Sequence, residues 1–348
     1  MLKTQYVFRL LFTTLCLVSA LSACNDVKRA ARSTNDTSCE TFVTFNTLDR
    51  LKTPPTADKF EEIRKAAEGN QADAQYDLGV MYLIRSGWLK GVGQTDDAKQ
   101  AVEWIQKSAN QGHMAAQFLL SEIHRNGWGV PRNNTLAIAW IEKAAEQGNA
   151  EAQHLLGEHY FMGVNGPQNN RLGFAWTSKA AEQRHAPAQS RLCLIHLHGM
   201  DGVGITPNPL LAFSWCNKAA SQGFPLAQEY LSEMYTLGQG VAKDDRQALI
   251  WLRKGAEQGS ILAQISLSEE YIDGKRLDKD PAQAYMWLSI AKSASIKKNC
   301  NPSNVGETFL RLEAQMTPEQ IQRGKSLVNG WKPKTEGKRY LEFNELRR

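Results

Sequence analysis

The sequence predicts an all-α protein, a solenoid of stacked α-hairpins. Three observations predict it. Six tryptophans, Trp104, Trp140, Trp176, Trp215, Trp251 and Trp287, recur at spacings of 36, 36, 39, 36 and 36 residues. A fixed period of this size marks hairpins that each bury an apolar face against a neighbour. Seven residues before each tryptophan stand Asp97, Asn133, Asn169, Asn208, Asp244 and Asp280, side chains suited to cap the first turn of a helix. After most of them come a small pair, such as Ala144-Ala145 or Ala219-Ala220, and a Gln-Gly step at 111–112, 147–148, 222–223 and 258–259. Small residues let a neighbouring helix approach, and glycine suits the left-handed residue that ends a helix.

The elements follow in chain order. Residues 1–23 carry Lys3 and Arg9 ahead of an apolar stretch, Leu10 to Leu21, and end in Leu21-Ser22-Ala23, directly before Cys24. The stretch is too short to span a membrane and suits a secretory signal core. A cysteine at the cleavage point resembles the lipobox of bacterial lipoproteins, which implies lipidation of Cys24 and a membrane tether by acyl chains. Residues 24–56, rich in Ser, Thr, Asn and Asp and closed by Pro54-Pro55, read as a flexible lipid-proximal linker. Residues 57–295 hold the array. Segment 57–70 aligns with the tryptophan-bearing helix alone and forms an N-terminal half repeat, followed by six full repeats. In each full repeat a first helix, A, carries Ala-Gln (74–75, 116–117, 152–153, 188–189, 227–228, 263–264), with a leucine four residues beyond the alanine and a slim residue next: Gly79, Ser121, Gly157, Cys193, Ser232, Ser268. The tryptophan helix, B, follows. The A-to-B connection is longer than the rest before Trp104 and before Trp215. Residues 296–331 are expected to cap the last repeat. Their final helix runs from about Thr317 to Gly330, after the capping-box order Thr317-Pro318-Glu319-Gln320. Residues 332–348 form a charged tail.

These columns resemble the Sel1-like repeat family, relatives of the tetratricopeptide repeats. Leu231 to Gly259 carries them in sequence as L-S-E-M-Y-T-L-G-Q-G-V-A-K-D-D-R-Q-A-L-I-W-L-R-K-G-A-E-Q-G. The resemblance implies a right-handed superhelical solenoid whose concave surface binds a protein or peptide partner.

Little in the sequence points to chemistry. Apolar residues are 42% and charged residues 22%, and the net charge is +5, too weak a bias to imply a nucleic-acid partner. His124 and His196 stand in a column otherwise filled by tyrosine. They read as planar substitutes rather than metal ligands. His154, Glu158 and His159 spell H-x-x-x-E-H, one residue too long for the inverted zinc-protease motif. A cysteine-rich branch of the resembled family is associated with β-lactam binding or slow hydrolysis. Ser289-Ile290-Ala291-Lys292 spells S-x-x-K, but no Lys-Thr-Gly follows it. No catalytic residue, cofactor or metal site is therefore expected, and weak β-lactam binding or hydrolysis stands as the alternative function. Cys193 and Cys216 fall on the two helices of one hairpin, so a disulfide between them and a pair of buried thiols both fit.

The expected function is a non-catalytic protein–protein interaction scaffold. Its lipid anchor places it in the envelope of a Gram-negative bacterium. Asn25 after the lipidated cysteine favours the periplasmic face of the outer membrane over the inner membrane. Positions on helix A outside the recurring columns are the candidate partner contacts: Tyr76, Asp77, Phe118, Leu119, Arg191, Glu229, Tyr230, Glu233, Glu269 and Glu270. Their mixture of aromatic and acidic groups suits a basic segment.

Overall fold

The computed structural model describes residues 57–86, 95–164, 166–297 and 305–332. Cys24, the linker, Cys39, residues 87–94 of the first long connection, Cys300 and the tail from 333 lie outside these residues. The described residues form fifteen helices and one isolated antiparallel bridge, Met200 to Ile205. The half repeat is α1 (Ala57–Glu68). Six A/B pairs follow: α2 (Ala72–Arg85) and α3 (Asp96–Asn110), α4 (Met114–Asn126) and α5 (Asn134–Glu146), α6 (Ala150–Met162) and α7 (Asn170–Glu182), α8 (Ala186–His198) and α9 (Pro209–Ser221), α10 (Pro225–Leu237) and α11 (Asp245–Glu257), α12 (Ile261–Asp273) and α13 (Pro281–Lys297). Two further helices close the stack, α14 (Val305–Glu313) and α15 (Pro318–Gly330). Each A helix packs most extensively on the B helix of its own repeat, and each B helix then packs on the next A helix. No described helix is long and apolar enough to cross a membrane.

Capping sets where the B helices begin. Asn133, Asn169, Asn208 and Asp244 each accept a hydrogen bond from the backbone N–H three residues on. Asp280 accepts from the N–H groups of Ala282 and Gln283. Asp97 departs from the expectation. The helix starts one residue before it, at Asp96, and Thr95 is the cap, accepting from Ala98 at 3.2 Å. That leaves the Asp97 carboxylate to take two hydrogen bonds from Arg85, at 2.6 and 2.7 Å. Arg184 replaces the glycine of the B-helix terminus yet adopts the same left-handed turn, at φ 65°.

A ladder of buried glutamines ties the helices together. The glutamine of each Ala-Gln pair donates through Nε2 to a carbonyl at the end of the preceding B helix: Gln75 to Ala67, Gln117 to Ala109, Gln153 to Ala145, Gln189 to Ala181, Gln228 to Ala220 and Gln264 to Ala256. In the first four repeats its Oε1 also accepts from the glutamine that ends its own B helix, at 2.6–2.7 Å (Gln111, Gln147, Gln183 and Gln222). One side chain therefore bridges three consecutive helices, and a buried amide left unpaired there costs more than its bond contributes.

The apolar core is segmented along the stack. One cluster, for example, joins Tyr76 and Leu83 of α2, Ile105 of α3, Leu120 and Ile123 of α4 and Trp140 of α5. The slim column exists because the B helix comes so near: a Cβ on Gly79 would lie 2.5 Å from Ile105, and one on Gly157 2.4 Å from Thr177. In the fourth repeat the same two columns hold Cys193 and Cys216, whose Cα atoms are 5.1 Å apart and whose sulfurs form a disulfide. The second long connection folds back on itself, with the Met200 N–H donating to the Ile205 carbonyl at 2.8 Å. At the far end α15 carries the capping box, Thr317 and Gln320 satisfying each other's backbone N–H groups. Phe309 of α14 meets Tyr285 at 5.0 Å, and Trp331 meets Trp287 edge-on at 6.2 Å, so the terminal segment covers the last repeat.

Candidate interaction surface

The candidate surface consists of the helix-A side chains left over once the columns are packed. Tyr76, Phe118 and Leu119 do not belong to it. Tyr76 is buried and stacks on His113 at 4.8 Å. Leu119 (3% exposed) lies in the core with Ile105 and Ile123, and Phe118 (8%) in the next cluster with Ile141. The physical reason is that successive A helices of the first repeats lie against one another's hairpins, so positions beside the glutamine column become core. Asp77 is half-buried on α2.

At the junction of the third and fourth repeats the leftover positions hold an ionisable cluster. His185 caps α8: its Nδ1 accepts from the Ala188 N–H at 3.3 Å. That acceptance fixes the proton on Nε2, which faces Glu151 Oε2 at 2.9 Å. His113 caps α4 in the same way. The His154 ring lies 5.1 Å from His185. Burial first, and then its neighbours His185 and Arg191, hold its pKa well below the ordinary imidazole range. Arg191 makes an ion contact with Glu158 at 3.1 Å and lays its guanidinium over the Phe161 ring at 4.9 Å. Burial pushes the Glu158 carboxyl up, against the pull of Arg191. Burial and Arg125 bring His159 down to about 4. Arg191, a candidate contact from the sequence, is thus engaged within the protein. Among the described residues no three His, Cys, Asp or Glu side chains converge on a metal position.

The fifth and sixth repeats differ. Glu229 accepts from the Ser260 hydroxyl at 3.4 Å, and Tyr230 packs half-buried on the fourth-to-fifth-repeat core. Glu270 is taken by Arg276 at 2.5 Å. Glu233 and Glu269, at equivalent register positions of α10 and α12, reach the surface. Partial burial and the carboxylates of Asp273 and Glu270 push Glu269 up. Of the ten candidates, these two glutamates are the solvent-facing pair.

The serine and lysine of S-x-x-K are occupied by packing. Ser289 Oγ donates to the Tyr285 carbonyl at 2.7 Å, and Lys292 Nζ sits over the Phe309 ring at 4.7 Å. His196 meets Phe174 edge-on at 6.1 Å, as Tyr235 meets Phe213 at 5.6 Å, so histidine fills a tyrosine's place there. One recurring feature escaped the sequence reading. Three residues after each of the first five tryptophans is a lysine whose ammonium lies 4.0–4.7 Å from the indole centroid (Lys107, Lys143, Lys179, Lys218, Lys254). The W-x-x-K spacing was the available signal.

Comparison with known proteins places this arrangement. The Sel1 repeat family model matches six consecutive segments, residues 72–113, 115–149, 150–185, 186–224, 225–260 and 261–295. Among solved structures the chain is similar to a Sel1 repeat protein from Oxalobacter formigenes, with 29% identity over 70% of this chain and 89% of that one and a TM-score of 0.57. It is also similar to a protective antigen of uropathogenic Escherichia coli strains displaying an SLR fold, with 28% identity over 77% of this chain and a TM-score of 0.49. The match spans 62% of the antigen's length. An immunity protein from Pseudomonas aeruginosa matches at 21% identity, over 72% of this chain and 87% of that one, with a TM-score of 0.37. No curated protein matches.

Proposed function

This chain belongs to the Sel1 repeat family, and from that premise we propose that it is a non-catalytic adaptor tethered to the bacterial envelope, taking a protein partner on its helix-A surface. Sel1 repeat proteins are in general interaction scaffolds, and a stack of hairpins offers an extended surface without a catalytic pocket. The observation that carries the reading is the contrast along helix A. Ionisable groups are consumed by internal pairs in the third and fourth repeats, whereas Glu233 and Glu269 stand at the surface in the fifth and sixth. Those carboxylates suit a basic segment of the partner. The engagement of Ser289 and Lys292 in packing favours a scaffold over a β-lactam hydrolase. The Cys193–Cys216 disulfide supports export, because such bridges persist in oxidising compartments such as the periplasm. The tether is Cys24, and the periplasmic face of the outer membrane is the proposed site.

The test is crosslinking in cells from positions 233 and 269 of the full chain. A specific partner should be captured and then lost when Glu233→Lys and Glu269→Lys are combined. Undiminished capture in that double variant overturns the surface assignment. Cys24→Ser should release the protein from the membrane fraction, and persistence there overturns the lipid tether.

A further inference from the structure

A second site arises where the repeat template is broken. In the A-to-B connections of the second and fifth repeats a second glycine packs against the start of the preceding B helix. A Cβ on Gly129 would lie 2.7 Å from the Ala98 carbonyl oxygen, and one on Gly240 2.0 Å from that of Pro209. In the sixth repeat the sequence Gly274-Lys275-Arg276-Leu277 replaces Gly238-Gln239-Gly240-Val241, so Arg276 stands in the glycine column. With a long side chain the loop cannot seat on α11 as Gly240 seats on α9. Arg276 turns instead to Glu270 at 2.5 Å and Thr236 at 2.6 Å.

What remains between the loop and α11 is an open groove of about 700 Å³. Arg246, Arg253, Lys254, Lys275 and Arg276 line it, against two acids, Asp245 and Glu257. Leu249, Ile250 and Leu277 supply its apolar lining, and Ile250 is 40% exposed. Arg246 is exposed and pairs with no described carboxylate. All four of the other cations are held in place, which reduces the ordering cost of binding; Lys275 is paired with Asp273 at 2.6 Å. Arg253 donates to the Tyr271 hydroxyl at 3.2 Å, Lys254 lies over Trp251, and Arg276 is paired as above.

We propose that this groove is a second docking site, for a segment of a partner protein that carries acidic residues interleaved with aliphatic ones. The excess of cations selects the acidic groups, and the leucine–isoleucine lining takes the aliphatic ones. A lipid surface is disfavoured because the apolar atoms lie in a recess rather than on a protrusion. Nucleic acid is disfavoured because the lining holds two carboxylates and no aromatic ring on which a base could stack. The site lies on α11 and the loop that follows α12, whose Arg276 is bonded to Glu270 of helix A, and its charge preference is opposite to that of the helix-A carboxylates. An adaptor with both would hold two partners of opposite sign.

The experiment is fluorescence anisotropy with the full chain and a short labelled peptide alternating aspartate and leucine. A lysine–leucine peptide, an aspartate–serine peptide, phosphatidylglycerol vesicles and a single-stranded oligonucleotide are the other probes. Saturable binding of the aspartate–leucine peptide is expected, weaker by about tenfold or more when Arg246→Glu and Arg253→Glu are combined. Arg276→Gly, which restores the glycine column, should also weaken it. Circular dichroism checks that each variant keeps its helices; should the double reversal lose them, Arg246→Gln alone is read for the same loss in a smaller degree. The proposal is overturned by no saturable binding, by equal affinity for the lysine–leucine or aspartate–serine peptide, by indifference to the arginine substitutions, or by tighter binding to the vesicles or the oligonucleotide. Because the probe and residues differ from those of the helix-A test, either site can fail alone.

Discussion

The junction of the third and fourth repeats and that of the fifth and sixth use the same columns and end up with different surfaces. In the first, Glu151 pairs with His185, Glu158 with Arg191, and the fourth repeat is locked by Cys193–Cys216. In the second, Glu233 and Glu269 remain at the surface, and Arg276 holds its loop off α11. The difference shows a division of labour within one template. Column residues set where the helices lie. Residues between the columns decide whether a junction closes on itself or offers something to bind.

The sharpest way to break this comparison exchanges the two loop residues. Gly240→Arg places a side chain where a Cβ alone would be 2.0 Å from Pro209, at a φ of +71°. It should cost about 3–5 kcal/mol, read as a fall in the urea midpoint, or prevent folding. Arg276→Gly, the reverse exchange, should change stability by no more than about 1 kcal/mol. Equal costs would mean that loop seating does not distinguish the two junctions. Next in size is the disulfide. It closes 23 residues, and the chain-entropy estimate for such a loop is about 3 kcal/mol. Reduction should lower the urea midpoint accordingly. Cys193→Ser with Cys216→Leu recreates the Ser232 and Leu252 columns of the fifth repeat and should retain helicity while losing that stabilisation.

Acid should also act on the third repeat first, at His154 in the closed junction and at His159 on the side facing the second repeat. His159 titrates at about 4 in the folded chain, against about 6.5 when unfolded. Below pH 6.5 the unfolded chain takes the proton and the folded chain does not, so stability falls as pH drops from about 6.5 towards 4. His154, also lowered by burial, acts in the same direction. Glu158, raised by burial, works the other way and offsets part of the loss. A decline of roughly 2–3 kcal/mol over that window is expected, with His159→Phe flattening the profile. Hydrogen exchange should show α6 and α8 opening before α10 and α12. A flat stability profile in the unsubstituted chain would show that these imidazoles are not kept neutral by burial.

The array was legible because it repeats: tryptophan, cap, small pair and glycine each state the same helix boundaries several times over. Single-copy features were not. Thr95 displaced Asp97 as a cap because a helix start can slip by a residue when two acceptors compete. Phe118 and Leu119 look like surface candidates on a helical projection, since nothing in one repeat reveals how closely the next hairpin lies. The pairing of Cys193 with Cys216 was readable as geometrically allowed, with buried thiols equally so. The cluster of His154, His185 and Arg191 joins two repeats through residues in no column, and only packing brings them together.

The smallest expected effect tests the feature the two regions share least. Lys179 lies 4.0 Å from the centroid of the half-buried Trp176. Its exposed ammonium gains from the negative face of the indole, and its methylene stem covers apolar surface. Lys179→Met keeps the stem and removes the charge, so it should cost about 0.5–1 kcal/mol. Salt should blunt the difference only slightly, since the partner is a quadrupole rather than an ion. The sixth repeat has no such lysine: Ile290 stands three residues after Trp287, and the ring is 5% exposed against Trp331. Ile290→Lys should therefore destabilise rather than mimic its neighbours, because it would bring an ammonium into a site that is 9% exposed. Gain of stability in that variant would show that the terminal tryptophan is covered less firmly than its contact with Trp331 implies.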